Sequence, residues 1–252
     1  MAARRARSAE GAVDRHEIVA HYQPIIDLVT GEVVRLEALA RWRRIGGLVA
    51  PVDWISVAEQ TGAIDAIGCE MLRLAGDQLL EWLARSPQLG VSVNVSPRQL
   101  LTGQVLACVR AVLDSGLPPS TLCLEITESH RVEEGPAVET LDALRRLGCK
   151  VALDDFGVGY SSLAALARLP VDVIKIDREF TSRLDTPGGR ELVAAMLTLA
   201  NALDLEVIAE GIETQDQLDT LVGLGCTRGQ GYLIAPPSDA RDLPPPLAPA
   251  GG

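Results

Sequence analysis

Short β-type runs alternate with longer helical patterns along most of the chain. The helical segments, in which apolar residues recur at helical spacing, include AIDAIGCEMLRLAGDQLLEWLARS, PAVETLDALRRLG and GRELVAAMLTLANALD. The last of them stops naturally at Asn201 to Asp204. Strands are predicted at eight runs: HYQPIID, VRLEALARW, GVSVNVS, TLCLEITE, KVALDDF, VDVIKID, LEVIAEG and CTRGQGY.

Eight strands with intervening helices in about 230 residues indicate a closed barrel rather than an open sheet. Only residues 28–32, LVTGE, join the first two strands. A parallel crossover needs a dozen or more residues, so one of these two strands must run antiparallel to its neighbour. The predicted fold class is therefore α/β, a modified TIM (β/α)8 barrel with one antiparallel strand near the N-terminus.

The ends of the chain differ in composition from its middle. Residues 1–15 are polar and rich in Ala and Arg, and they predict a flexible leader; residues 241–252 are rich in Pro and Gly and predict a disordered tail. Residues 16–240 are the predicted folded domain. No apolar h-region follows the basic start, and no run of about 18 apolar residues occurs, so neither a secretory signal nor a membrane-spanning segment is expected.

Composition limits the partners of the domain. Of the 252 residues 47% are hydrophobic but only 3% aromatic, so the core must consist of Leu, Val, Ile and Ala. The formal net charge of −11 gives no general attraction for a nucleic-acid polymer or an anionic membrane. An anionic ligand would therefore need local cations, which are either basic side chains or metal ions.

The cysteines indicate the redox environment. The chain has five, an odd number, and they form no C-x-x-C pair. They are Cys69, Cys108, Cys123, Cys149 and Cys226. This distribution argues against a disulfide framework and a zinc cluster and favours a reducing compartment, which we expect to be the cytoplasm.

Polar side chains occur late in nearly every predicted strand or just beyond it. In a barrel of this type the reactive groups collect at the C-terminal ends of the strands. A single such residue is usually a loop cap or a solvated group, but its recurrence on so many strands indicates a common site. The residues are Glu37, Asn94, Glu125, Glu128, Asp154, Asp155, Lys175, Asp177, Glu210, Glu213 and Gln230.

This set is rich in oxygen ligands and contains no His or Cys. Such ligands suit hard cations, Mg²⁺ or Mn²⁺, rather than zinc. The adjacent Asp154 and Asp155 then have an explanation, because one carboxylate can bridge two ions about 3.5–4 Å apart while its neighbour serves the second ion. Gly157 and Gly159 let the backbone turn sharply just after them.

Eight motifs in order resemble those of the EAL domain family, whose members are bacterial cyclic di-GMP phosphodiesterases. They are YQPI, EALARW, VNVSPRQL, LEITES, DDFGVGYSSL, IKID, AEGIET and QGY, and the resemblance runs from about residue 13 to 239. It implies a modified (β/α)8 barrel. It also implies an enzyme that uses two Mg²⁺ or Mn²⁺ ions to hydrolyse cyclic di-GMP to linear pGpG.

The resemblance assigns a role to each matched residue. It implies that Glu37, Asn94, Glu125 and Asp154 hold one metal, that Asp154 bridges to a second ion also bound by Asp155, and that Glu210 lies in the metal and water shell. Lys175, with Glu210 and Asp155, forms the catalytic group. Glu128 steadies the loop at residues 156–162, which in this family couples metal binding to dimerisation. Substrate contacts fall to Gln23, Leu39, Arg41, Asp177, Glu213, Gln230 and Tyr232.

Two roles for Lys175 stay open. A lysine beside two cations should have a lowered pKa, which would allow it to act as a general base on the attacking water. The alternative is a cation that only neutralises the carboxylates.

The sequence departs from the family pattern at two positions. Val158 replaces a frequent Thr or Ala, and Pro236 replaces a frequent basic residue, but neither change removes a metal ligand.

Two other functions compete with hydrolysis. A degenerate EAL domain can act as a sensor that binds cyclic di-GMP or a protein partner without turnover, but the complete ligand set favours catalysis. An unrelated barrel enzyme, such as an aldolase with Lys175 as a Schiff base, is compatible with the fold alone. The carboxylate cluster argues against such an aldolase.

By analogy with the family we also expect a homodimer and an upstream sensory or GGDEF partner.

Overall fold

The Val-, Ile- and Leu-rich runs form the strands of a closed barrel with helices around it. The computed structural model describes residues 11–127, 135–158, 166 and 168–243. Within these residues the strands are β1 (Ile18–Asp27), β2 (Val33–Arg44), β3 (Gly47–Val49), β4 (Gly90–Val95), β5 (Leu122–Thr127), β6 (Lys150–Phe156), β7 (Val173–Ile176), β8 (Glu206–Ala209) and β9 (Arg228–Gly229).

The helices of the described residues fill most connections between strands. They are α1 (Ile55–Thr61), α2 (Ala63–Leu83), α3 (Pro97–Thr102), α4 (Gln104–Asp114), α5 (Pro136–Arg146), α6 (Arg178–Thr181), α7 (Pro187–Ala202) and α8 (Gln215–Gly223). The three helices predicted from the sequence are confirmed, each with ends displaced by three residues or fewer. None of the described helices is long and apolar enough to cross a membrane.

Strand pairing closes the barrel as the short first link predicts. The order around the sheet is β1-β9-β8-β7-β6-β5-β4-β2, and β1 pairs with β2 to complete the ring. β1 runs antiparallel to both neighbours, whereas every pairing from β2 through β4 to β9 is parallel. The modified barrel with one antiparallel strand is thus confirmed. The short β3, which the sequence analysis missed, pairs with β2 outside the ring.

The interior of the barrel is built in layers. A small apolar layer consists of Ile25, Cys123, Ala152, Val173 and Ile208, all fully or almost fully buried. Because side chains alternate between the two faces of a strand, the residue two positions further along faces the same interior. On four parallel strands that residue is polar, so a polar layer lies directly above the apolar one, at the C-terminal rim.

A second apolar cluster lies between the barrel and its helices. The long α2 packs against β1, with Tyr22 and Trp82 in an edge-to-face contact at 4.9 Å between ring centroids. The buried positions of α2 recur at helical spacing, as the sequence predicted, and include Ile64, Ile67 and Met71. This packing holds the N-terminal half of α2 against the rim of the barrel.

One cysteine pair contradicts the sequence analysis. Cys69 of α2 and Cys108 of α4 form a disulfide with their Cα atoms 5.3 Å apart, whereas the scattered cysteines argued against disulfides and for a reducing compartment. A separation of 39 residues gives no sign that the packing of two helices brings these positions together. The remaining Cys123, Cys149 and Cys226 are free and buried.

Thiol titration tests this disulfide. Protein denatured without reductant should react with a thiol reagent at its three free cysteines only, and Cys108→Ala should release one further thiol. Reduction should lower the free energy of unfolding by about 2–4 kcal/mol, because the cross-link closes a long loop in the unfolded chain. Five reactive thiols in the unreduced protein would show that the bond does not form.

Candidate active site

The polar layer at the barrel rim brings together side chains from separate strands. The parallel strands all end at this rim, so residues far apart in sequence converge on the barrel axis. The group consists of Glu37 of β2, Asn94 of β4, Glu125 of β5, Asp154 of β6, Lys175 of β7 and Glu210, which directly follows β8. These are residues to which the sequence analysis assigned metal binding and catalysis.

Lys175 lies at the centre of this group and is only 1% exposed. Its Nζ lies 2.7 Å from a carboxylate oxygen of Glu125 and 2.7 Å from one of Glu210. Oxygens of Asp154 and Glu37 follow at 3.2 Å and 3.5 Å. One buried cation therefore faces four carboxylates, which could not all remain ionised there without it.

Two amides orient the carboxylates. Asn94 Nδ2 donates to Glu37 Oε1 at 2.9 Å. Gln230 Nε2 donates to Glu37 Oε2 and to Glu210 Oε1, both at 2.8 Å. Because each amide gives its NH₂ group to a carboxylate, the carbonyl oxygen of Asn94 is left as an acceptor or a metal ligand.

The charges in this layer shift one another's pKa. Burial acts to lower the pKa of Lys175, but the four carboxylates outweigh it and raise that pKa well above its usual value. Burial raises the pKa of Glu125 to about 8 and the pKa of Glu210 well above its ordinary range. For Glu37, the charge of Lys175 and the two amides overcome burial and lower the pKa. The lowered pKa predicted for Lys175 depends on two bound cations and stays a prediction; beside the carboxylates alone the pKa of Lys175 is raised.

Asp155 takes a different direction from Asp154. Its φ of 55° is left-handed, and the pairing of β6 with β7 is irregular between Leu153 and Phe156. The Asp155 residue is exposed at this turn, and its N–H donates to Asp154 Oδ1 at 3.0 Å. Partial burial of the carboxyl and repulsion from Asp154 raise the pKa of Asp155 to about 6. The left-handed backbone thus leaves the two carboxylates close to each other, with ligand oxygens within 4.8 Å.

The carboxylates form two groups that could each hold a metal ion. Ligand oxygens of Glu37, Glu125 and Asp154 lie within 4.8 Å of one another, and so do those of Asp154, Asp155 and Glu210. Asp154 belongs to both sets and is the natural bridge. Glu125 Oε1 is buried and has no hydrogen-bond partner among the described residues, which leaves an acceptor available to a cation. Oxygen ligands alone suit Mg²⁺ or Mn²⁺.

A cavity of about 180 Å³ flanks one side of the carboxylates. Five of the residues predicted to contact substrate line it: Gln23, Asp177, Glu213, Gln230 and Tyr232. Gln23 is fixed by donating to the carbonyl of Ala235 at 3.1 Å, and Tyr232 is 69% exposed. Asp177 also caps α6 by accepting from the N–H of Glu179 at 2.7 Å.

The opposite side carries the other two predicted contacts. Leu39 lines a cavity of about 400 Å³ together with Glu37, Asn94 and Asp154. Arg41 donates to the carbonyl of Ala40 at 2.9 Å and lines neither cavity. Its half-buried position lowers the pKa of its guanidinium. Glu128 and most of the loop at residues 156–162 lie outside the described residues.

Sequence reasoning missed the outer wall of the larger cavity. This wall comes from Pro51, Val52, α1 and the first turns of α2, including Ile64, Ile67 and Met71. The apolar residues of α2 recur at helical spacing and were interpreted as core only. A single sequence gives no signal that buried residues at one end of a helix also line a cavity next to a site.

Comparison with known proteins agrees with this geometry. The family model described as EAL domain matches residues 6–237. The cyclic di-GMP phosphodiesterase PdeR of Escherichia coli is 38% identical over 233 residues, which cover 91% of this chain and 35% of PdeR. The bifunctional diguanylate cyclase/cyclic di-GMP phosphodiesterase MucR of Pseudomonas aeruginosa is 38% identical over 237 residues, covering 92% and 35%. The chain spans about a third of the length of such curated relatives.

Solved structures show the same architecture. A structure described as the PaMucR phosphodiesterase in complex with c-di-GMP superposes with a TM-score of 0.88 at 35% identity, covering 94% of this chain and 98% of the other. The EAL domain of Mycobacterium smegmatis DcpA gives a TM-score of 0.73 at 38% identity, covering 87% and 91%. By the family match across nearly its whole length and by its barrel, the chain belongs to the EAL domain family.

Proposed function

We propose that this domain is a metal-dependent phosphodiesterase that hydrolyses cyclic di-GMP to linear pGpG. One observation carries the proposal: two sets of carboxylate oxygens that share Asp154 converge at the rim of the barrel. Relatives named as cyclic di-GMP phosphodiesterases support the choice of substrate. A domain that only binds the ligand would have no need for a complete cation site.

The residues divide into two sets around the shared Asp154. Glu37, Asn94, Glu125 and Asp154 would hold one Mg²⁺ or Mn²⁺, and Asp154, Asp155 and Glu210 would hold the second. When bound, such a pair of ions lowers the pKa of water and neutralises charge on phosphate oxygens. It would also reverse the local sign of an acidic rim, so that a dianionic substrate can approach.

Lys175 is best placed to hold the carboxylates and to donate to the reacting phosphate or water. Its Nζ lies within 3.5 Å of all four carboxylates, a contact that a neutral amine would not favour. Of the two roles left open by the sequence, the cationic one therefore agrees with the geometry. The seven residues predicted to contact substrate, of which Arg41 stands apart from both cavities, remain assigned to substrate binding.

The proposal also covers the partner domains, the oligomeric state and the location of this domain. The relatives are about three times as long as this chain, and one of them is named as a bifunctional cyclase and phosphodiesterase, which supports an upstream sensory or GGDEF partner. The homodimer expected from the family and the cytoplasmic location expected from the cysteine distribution belong to the same proposal. Cyclic di-GMP synthesised by such a partner would be the substrate removed here.

Chromatography of the reaction products tests the function. The domain with Mg²⁺ or Mn²⁺ should convert cyclic di-GMP to pGpG, and a chelator should abolish the reaction. Asp154→Asn and Glu37→Ala should each lower kcat/KM more than about 100-fold, because they remove a ligand rather than an outer partner. Asp114→Asn, an exposed acid on α4, is the control. Binding of cyclic di-GMP without turnover under every metal would favour the sensor function instead.

Lys175→Ala separates catalysis from binding. Turnover should fall about 100-fold or more, while KM stays within about threefold, because the side chain acts on the reacting centre rather than on the bases. Lys150→Ala is the matched control, since Lys150 pairs with Glu206 at the N-terminal end of the barrel. Undiminished turnover in Lys175→Ala at neutral pH would exclude a catalytic role for this lysine.

A further inference from the structure

The disulfide between Cys69 and Cys108 is accessible to a soluble thiol. Both of its cysteines are partly exposed, whereas the other three cysteines of the chain, Cys123, Cys149 and Cys226, are buried. A disulfide that solvent can reach is more easily reduced than a buried one, and buried thiols are poorly reactive. Exchange with a soluble thiol is therefore confined to this one pair.

The bond fastens one wall of the larger cavity to a helix outside it. Cys69 lies in the N-terminal half of α2, and its neighbour Gly68 lines the cavity of about 400 Å³. The same cavity is lined by three predicted metal ligands and by three further residues of α2, which are Ile64, Ile67 and Met71. No residue of α4, which carries the other cysteine, lines it. A change at the bond can thus reach the candidate active site through α2.

Glycines form the α2 side of two close contacts with α3 and α4. A Cβ at Gly68 would lie 2.2 Å from Nε2 of Gln99, and one at Gly76 would lie 2.5 Å from Cγ1 of Val112. The helices approach closely at these two points, but α2 contributes no side chain there that could interlock with its neighbours. Cys69 lies between the two glycines in sequence, so the disulfide adds a covalent restraint to an approach that side chains do not lock.

One ion pair also joins α2 to α3. Nε of Arg98 lies 3.1 Å from Oδ2 of Asp65, which is in the first turn of α2, and the arginine side chain is 48% exposed. An exposed pair of this kind contributes little to stability, because water screens the charges. The pair therefore cannot replace the covalent bond as a restraint on α2.

The cavity leaves the N-terminal half of α2 free space on one face. Ile64, Ile67 and Met71 pack on the core, but each also borders the cavity, where part of its surface lacks neighbouring atoms. The C-terminal half is held more firmly, because the rings of Trp82 and Tyr22 are in contact. Apolar side chains gain burial if the wall moves into the cavity. Without the covalent bond, we therefore expect the N-terminal half of α2 to shift and to narrow the cavity.

We propose that the Cys69–Cys108 disulfide is a redox-sensitive switch of the candidate active site. The oxidised form keeps the cavity open, and the reduced form lets α2 narrow it. The proposal rests on the proposed function, because it names a regulation of that same site. In the reducing compartment expected from the sequence, the pair stays reduced until a small-molecule disulfide oxidises it.

The switch operates by exchange with a soluble dithiol. A thiolate of the dithiol attacks one sulfur of the bond and forms a mixed disulfide, while the other cysteine leaves as a thiolate and takes up a proton. The second thiol of the dithiol then loses its proton, attacks the mixed disulfide and releases the remaining cysteine. The chain gains two electrons and two protons, and the dithiol becomes a disulfide. Oxidation of the chain is the reverse reaction.

Kinetics of the oxidised and the reduced chain test the switch. After reduction with a phosphine and removal of the reagent, KM for cyclic di-GMP should rise about 3- to 30-fold, because only the fraction of molecules with an open cavity binds substrate. The value of kcat should stay within about threefold, because the carboxylates do not move. Oxidised glutathione should restore the original KM.

Two variants are the controls. Cys69→Ala combined with Cys108→Ala should show the KM of the reduced chain whether or not reductant is added. Cys149→Ala removes a free, buried thiol and should keep the full response to reduction.

Hydrogen exchange gives a measurement that does not depend on activity. Reduction should speed the exchange of backbone amides at residues 63–71, which lose their covalent restraint. Exchange in α7, which packs against α6 and β8, should be unchanged.

Three results would overturn the switch: an unaltered KM after reduction, faster exchange throughout the chain including α7, or five reactive thiols in the unreduced protein. Failure of the proposed function gives a different result. In that case exchange at residues 63–71 would respond to reduction as expected, but neither form would bind or hydrolyse cyclic di-GMP with any metal.

Discussion

The site depends on a balance of charge at the rim of the barrel. Four carboxylates lie close together at buried or partly buried positions, where burial disfavours the charged form of a carboxyl group. The ammonium group of Lys175, within 3.5 Å of each, offsets part of that penalty. The balance is incomplete, because one cation faces four acids and the pKa values of Glu125 and Glu210 stay raised; a further cation would favour the ionised form of both.

The barrel supplies the geometry for this balance. Apolar side chains one layer below, such as Ala152 and Val173, hold the strands at a fixed register. Two residues further along each strand the polar groups must then point to the same axis. Asp155 departs from the regular strand, since its backbone is left-handed and its side chain is exposed while its carboxylate stays within 4.8 Å of the carboxylates of Asp154 and Glu210.

Much of this arrangement could be predicted from sequence because it follows from periodicity. The alternation along β6 places Asp154 at the end of a buried run, and the short link after β1 forces an antiparallel pairing. Family resemblance then added roles that periodicity could not assign. The packing of one helix against another could not be predicted from the sequence. The Cys69–Cys108 bond depends on the contact between α2 and α4, and no local sequence pattern indicates that contact.

The most direct test of the account is the number and position of bound ions. Crystals of the domain grown with Mn²⁺ should give two anomalous peaks at the manganese absorption edge, one among Glu37, Glu125 and Asp154 and one among Asp154, Asp155 and Glu210. A single peak elsewhere on the molecule, or a rim with no peak in which Lys175 still satisfies all four carboxylates, would contradict the claim that these acids exist to hold cations.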